Sequence, residues 1–159
     1  MHQHILIPTD GSELSQKALD HGVALAQALK AKVTVLTVSP FLTPGFAAGF
    51  EPGIVTAYEK EVAASAKKYL DAAEKAAAAA GVRCEVMHVV NKHPYQAIID
   101  TAKLKGCDLI VMASHGRSGI SAVVLGSETV KVLTHSTTPV LVVRRDSAAI
   151  PPVRGTTAE

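Results

Sequence analysis

Apolar residues along this chain fall into short unbroken runs. These alternate with longer stretches in which apolar positions recur every three or four residues. The first run, Ile5-Leu6-Ile7, leads into Pro8-Thr9-Asp10-Gly11-Ser12. A short all-apolar run suits a parallel strand covered on both faces; Asp-Gly marks a turn and Ser12 a helix cap. Leu19, Gly22, Val23, Ala26 and Leu29 then keep helical spacing. Val33 to Val38 is β-branched and apolar, and predicts a second strand. Pro40 to Pro52, with its prolines, glycines and phenylalanines, reads as a long loop of the kind often used for function. Tyr58, Val62, Ala66, Tyr69, Ala73, Ala76 and Ala80 form the stripe of a second helix that Gly81 ends, and both tyrosines are expected in the core. Val82 to Val90 predicts strand three. Pro94 opens a third helix that carries Ile98, Ile99, Ala102 and Leu104 and stops at Gly106. Leu109 to Met112 is strand four, Gly116 to Leu125 a loop, and Ser127 the cap of a fourth helix through Leu133. Pro139 introduces a fifth strand, Val140 to Val143. A folded domain is expected over residues 1–145, and a disordered Ala-, Pro-, Gly- and Thr-containing tail over 146–159.

Five strands in strict alternation with four helices define an α/β protein: a doubly wound parallel sheet with right-handed crossovers. In such sheets ligands sit beyond the carboxyl ends of the strands, where the strand order reverses. The unusual residues of this chain fall at such ends. Asp10 follows strand one, Ala113-Ser114-His115-Gly116 follows strand four, and Gly126-Ser127 opens the helix before strand five. Glycines let a backbone approach a phosphate closely, and a helix N-terminus offers free N–H groups to an anion. The Ser127 hydroxyl can reach a phosphate oxygen or a metal bound to it. Asp10 can accept from ribose hydroxyls or hold Mg²⁺ through water, and Val38 and Met112 can flank a base. His115 and Arg117 lie beside the expected phosphates. The same glycines also suit ordinary turns. The Walker sequence is absent, and so is the dinucleotide fingerprint after strand one.

The 159 residues are 48% hydrophobic and 19% charged, as in one folded domain. A net charge of +2, 4% aromatics and no tryptophan argue against a nucleic-acid surface. No segment approaches a membrane span or reads as a signal peptide, and two cysteines, Cys84 and Cys107, make no disulfide framework. The expected location is the cytoplasm. Cys84 and Cys107 are expected to be small buried hydrophobes. His2 and His4 alternate at an expected exposed strand start and make no metal site by themselves. No nucleophile–base pair or carboxylate pair marks the crevice, so any hydrolysis of a bound phosphate is expected to be slow.

These residues resemble the universal stress protein family over Ile5 to Arg144. The likeness is carried by Ile7-Pro8-Thr9-Asp10-Gly11-Ser12, Leu36-Thr37-Val38 and Gly106-Cys107-Asp108-Leu109-Ile110-Val111-Met112. It continues through Ser114-His115-Gly116-Arg117, nine residues from Arg117 to Leu125, Gly126-Ser127, and Thr138-Pro139-Val140-Leu141-Val142-Val143. The resemblance implies sheet order 3-2-1-4-5, and a homodimer through the last strand, Val140, Leu141, Val142 and Val143. One family branch binds ATP through G-x2-G-x9-G-[ST]; the other lacks that motif and binds none. Here Gly116 is the second glycine and Gly126 the third, while Ala113 stands at the first. The expected nucleotide contacts are Pro8, Thr9, Asp10, Val38, Met112, Ala113, His115, Gly116, Arg117, Gly126, Ser127 and Glu128. The expected ligand is ATP, ADP or AMP with Mg²⁺ or Mn²⁺, and a protein partner would read the nucleotide state. A module acting through protein contacts alone, and a slow nucleotide hydrolase or transferase, are the other readings.

Overall fold

The structure is a computed structural model that describes residues 1–116, 125–146 and 150. Five strands form one parallel sheet: β1 (His4–Pro8), β2 (Lys32–Ser39), β3 (Cys84–Val90), β4 (Leu109–Ala113) and β5 (Val140–Val143). Their spatial order is β3-β2-β1-β4-β5. The reversal falls at β1, which pairs with β2 from His4↔Lys32 to Pro8↔Leu36 and with β4 through Ile5↔Leu109 and Leu6↔Ile110. Both faces of β1 are covered, so Ile5, Leu6 and Ile7 are fully buried. Side chains alternate across the sheet. Ile5, Ile7, Val33, Val35 and Val111 join the core under α1 (Glu13–Leu29) and α3 (Pro52–Ala79). Leu6, Leu36, Ile110 and Met112 join the core with Ile98 and Ala102 of α4 (Pro94–Lys105) and Val132 of α5 (Ser127–His135).

Several expectations need correction. The segment from Pro40 to Pro52 contains a one-turn helix, α2 (Pro44–Ala47), because Thr43 caps the N–H of Phe46 and Pro44 is pre-set for a first turn. The helix count among the described residues is therefore five. Tyr58 is 40% exposed, and the buried residues of α3 are Ala66, Leu70, Ala73 and Ala77. A 28-residue helix runs roughly 42 Å while an eight-residue strand runs roughly 26 Å, so the amino half of α3 overhangs the sheet. Leu104 also lies outside the core at 76% exposure. Ser127 is the first helical residue of α5, and Gly126 is its N-cap with no side-chain bond. His4 is buried, because the central strand is covered at its start, and its Nε2 meets Thr34 Oγ1 at 2.8 Å. Cys107 is buried and Cys84 half-buried. Burial raises both thiols to about 11, with nearby carboxylates adding to the shift. Of the tail expected over 146–159, residues 147–149 and 151–159 lie outside the described residues.

Candidate functional site

A crevice of about 730 Å³ opens beyond the carboxyl ends of the strands. The β1–α1 turn builds one wall. Asp10 Oδ1 accepts the N–H of Ser12 at 3.0 Å, Ser12 caps Ser15, and Thr9 Oγ1 meets Ser15 Oγ at 3.2 Å. The Thr9 carbonyl accepts the Thr37 hydroxyl at 3.1 Å, which ties the turn to β2. Gly11 sits at φ +75°, and a Cβ there would run into the ring of Tyr69. That turn therefore needs glycine both for its conformation and for room.

The opposite wall follows β4. Ser114 and His115 are buried, and the N–H of Gly126 donates to the Ser114 carbonyl at 2.8 Å. Neither Gly116 nor Gly126 has positive φ. Their glycine identity comes from close approach. A Cβ on Gly116 would stand 2.5 Å from Asp10 Oδ2, and one on Gly126 would stand 3.1 Å from His115 Cα. With Gly126 as cap, the first N–H groups of α5 have no intrahelical acceptor. Thr129, in the first turn, donates its hydroxyl to the Ala113 carbonyl at 3.0 Å and fixes the helix start against the strand end. Glu128 Oε2 accepts the N–H of Tyr95 at 2.8 Å, and Oε1 pairs with Lys131 at 3.2 Å. This carboxylate braces the start of α4 against the start of α5.

Ala113, at the first motif position, has negative φ as the last residue of β4. Its side chain belongs to the apolar cluster on the α1 side of the sheet. The extra methyl thus sits in the core without backbone strain.

The crevice brings together Pro8, Thr9, Asp10, Val38, Met112, Ala113, His115, Gly116, Gly126, Ser127 and Glu128. Arg117 lies outside the described residues. Val140, Leu141, Val142 and Val143 are not part of this crevice; they form β5 at the sheet's far edge. Sequence reasoning missed Ser15, Leu36, Pro40, Pro94, Ile98 and Thr129, which also line the crevice. A signal existed for two of them: Pro40 directly follows β2, and Pro94 opens the helix after β3. Among the described residues no cluster of three or more His, Cys, Asp or Glu could hold a metal by itself.

Residues 1–144 match the Usp family, described as the universal stress protein family. The universal stress protein YxiE of Bacillus subtilis is 36% identical over 149 residues, covering 91% of this chain and all of YxiE. Among solved structures, the universal stress protein MJ0577 of Methanocaldococcus jannaschii superposes with a TM-score of 0.74 at 31% identity, covering 93% of this chain and 99% of that one. A universal stress protein in complex with cAMP superposes with a TM-score of 0.65 at 29% identity, over 90% of this chain and 97% of that chain. A five-stranded sheet in order 3-2-1-4-5 and a crevice walled by Asp10, Gly116 and Gly126 define an α/β protein with a cleft at its switch point. The chain belongs to the universal stress protein family.

Proposed function

We propose that the crevice binds an adenine nucleotide, ATP first, and that the protein is a nucleotide-dependent stress-response switch. One observation carries this reading. Gly116 and Gly126 strip the side chains from two close approaches, and the uncapped start of α5 lies in the same crevice as Asp10. Helix dipole and free N–H groups favour phosphate there. Val38, Met112 and Ile98 supply apolar surface for a base. Complex formation with cAMP by a 29%-identical relative supports the adenine class. Ala113 is compatible, its methyl being packed away in the core.

The residues fit a phosphate-borne Mg²⁺ or Mn²⁺. Asp10 and Ser127 line the same crevice, so Asp10 would face such an ion through water, with the Ser127 hydroxyl as a second oxygen. The cation would screen charge between the phosphates and Asp10. The reading includes only slow hydrolysis. Edge pairing of β5 would make the homodimer, a protein partner would read the nucleotide state, and the setting is the cytoplasm. No described helix is long and apolar enough to cross a membrane.

Calorimetric titration of nucleotide-free protein with ATP, ADP, AMP and cAMP, with and without Mg²⁺, tests this. Saturable adenine-nucleotide binding that Gly126→Val weakens by about tenfold or more supports the reading. Indifference to all four nucleotides sinks it, and leaves the protein-contact module.

A further inference from the structure

A second concavity, of about 560 Å³, lies at the other end of the sheet, where the strands begin. Four cations line it: Lys30 at the end of α1, Lys32 at the start of β2, Arg83 before β3 and Lys105 at the end of α4. Asp108 is the acid among the lining residues. It already accepts the N–H groups of Gln3 and His4 and pairs with His2 at 3.4 Å. Lys105 pairs with Glu85. Lys30, Lys32 and Arg83 make no ion pair among the described residues.

Helix C-termini at this rim attract cations, but their carbonyls do not need these side chains as donors. The N–H of Lys30 serves Ala26 and Gln27, and the Gln27 amide serves Ala80 at 3.0 Å. Val82 N–H serves Ala77, and Gly106 and Cys107 N–H groups serve Lys103 and Ala102. The Lys30, Lys32 and Arg83 side chains therefore line one basin with no ion-pair acceptor among the described residues. Lys30 adds a second sign. It is the non-glycine residue with positive φ, at 55°, among the described residues. The helices α3 and α4 turn at this rim through Gly81 and Gly106, at φ 69° and 66°. A lysine thus occupies a left-handed position that glycine takes without steric cost. Strain held at a concave, charged surface is a mark of function.

We propose that this basin binds an oligophosphate anion. Arg83 suits bidentate grip of one phosphate, and the lysines act as point charges for the others. The volume exceeds what a single phosphate needs, and three cations with no ion pair among the described residues suit a chain of linked phosphates.

The test uses the full chain and sodium tripolyphosphate at low salt, read by calorimetry and by histidine ring resonances. The expected result is saturable binding in which His4 resonances, at the basin, move, and move equally in Gly126→Val, whose phosphate crevice is impaired. Lys32→Gln with Arg83→Gln weakens binding by about tenfold or more. Lys30→Gly, which removes a cation and relieves the left-handed site, weakens binding while leaving the melting temperature unchanged or higher. Gly126→Val leaves tripolyphosphate binding intact, which separates this site from the nucleotide crevice. Absence of binding, equal affinity in the basin variants, or loss on Gly126→Val would overturn the proposal.

Discussion

Three residues show how identity follows from what stands nearby. Gly11 lies at positive φ beneath the Tyr69 ring. Gly11→Ala combines a left-handed penalty with overpacking and is expected to cost about 2–4 kcal/mol in denaturant unfolding. Tyr69→Leu in the same chain should recover part of that loss by making room. Gly116→Ala pushes the Asp10 carboxylate aside. It should weaken nucleotide binding in calorimetry more than it lowers the melting temperature. His4 is held below the ordinary histidine value of 6.5 by burial and by Lys32. The fold then binds fewer protons than the unfolded chain below that value. Its stability is full above about pH 6.5 and falls as pH drops towards the lowered folded value. Urea midpoints measured at about pH 7.5 and pH 5 should differ less in His4→Gln than in the parent chain. None of these three neighbours is adjacent in sequence. Tyr69 lies 58 positions from Gly11 and Thr34 lies 30 from His4, which is why periodicity alone places His4 at an exposed strand start.

At the scale of elements, the alternation of apolar runs and helical stripes was enough to read the five strands and the four longer helices. The stripe of α3 shows where that reading stops. A 3.6-residue period tells which side of a helix is apolar, but not how far the sheet beneath it extends. Tyr58 and Ala73 look alike in the pattern, yet one is 40% exposed and the other fully buried. Hydrogen exchange should separate the halves: amides around Ile54 to Val62 should exchange faster than those around Leu70 to Ala77, which rest on the core. The candidate site was legible for a different reason. Turn residues after β1 and β4 stand out against apolar strands, and with the family resemblance they led to eleven crevice residues. Ser15 and Thr129 escaped because each lies in the first turn of a helix, where a small polar residue gives no sign of which strand end it faces. The basic basin escaped because its cations come from four separate strand and helix ends.

For the whole molecule, the parallel sheet sorts the chain by polarity. Strand carboxyl ends and the starts of α1, α4 and α5 gather at the crevice, and strand starts and helix carboxyl ends gather at the basin. The outer strand β5 leaves one edge of the sheet for a neighbour. Light scattering of Val142→Lys should give a smaller mass than the parent if two β5 edges pair, with nucleotide affinity preserved. An unchanged mass would remove β5 from the interface.

The position of β1 also bears on the order in which the chain can be assembled on a ribosome. Its β2 partner arrives within about thirty residues, but its β4 partner, beginning at Leu109, is translated roughly a hundred residues after Ile5. Through that interval the middle of the eventual sheet is a rim: an apolar strand with one row of N–H and C=O groups still open. A nascent chain in this state presents the kind of edge to which another unfinished chain, or a chaperone, can add itself. Residues 109–113 then act as a closing strip, and their arrival turns the most vulnerable strand of the growing chain into the most protected one.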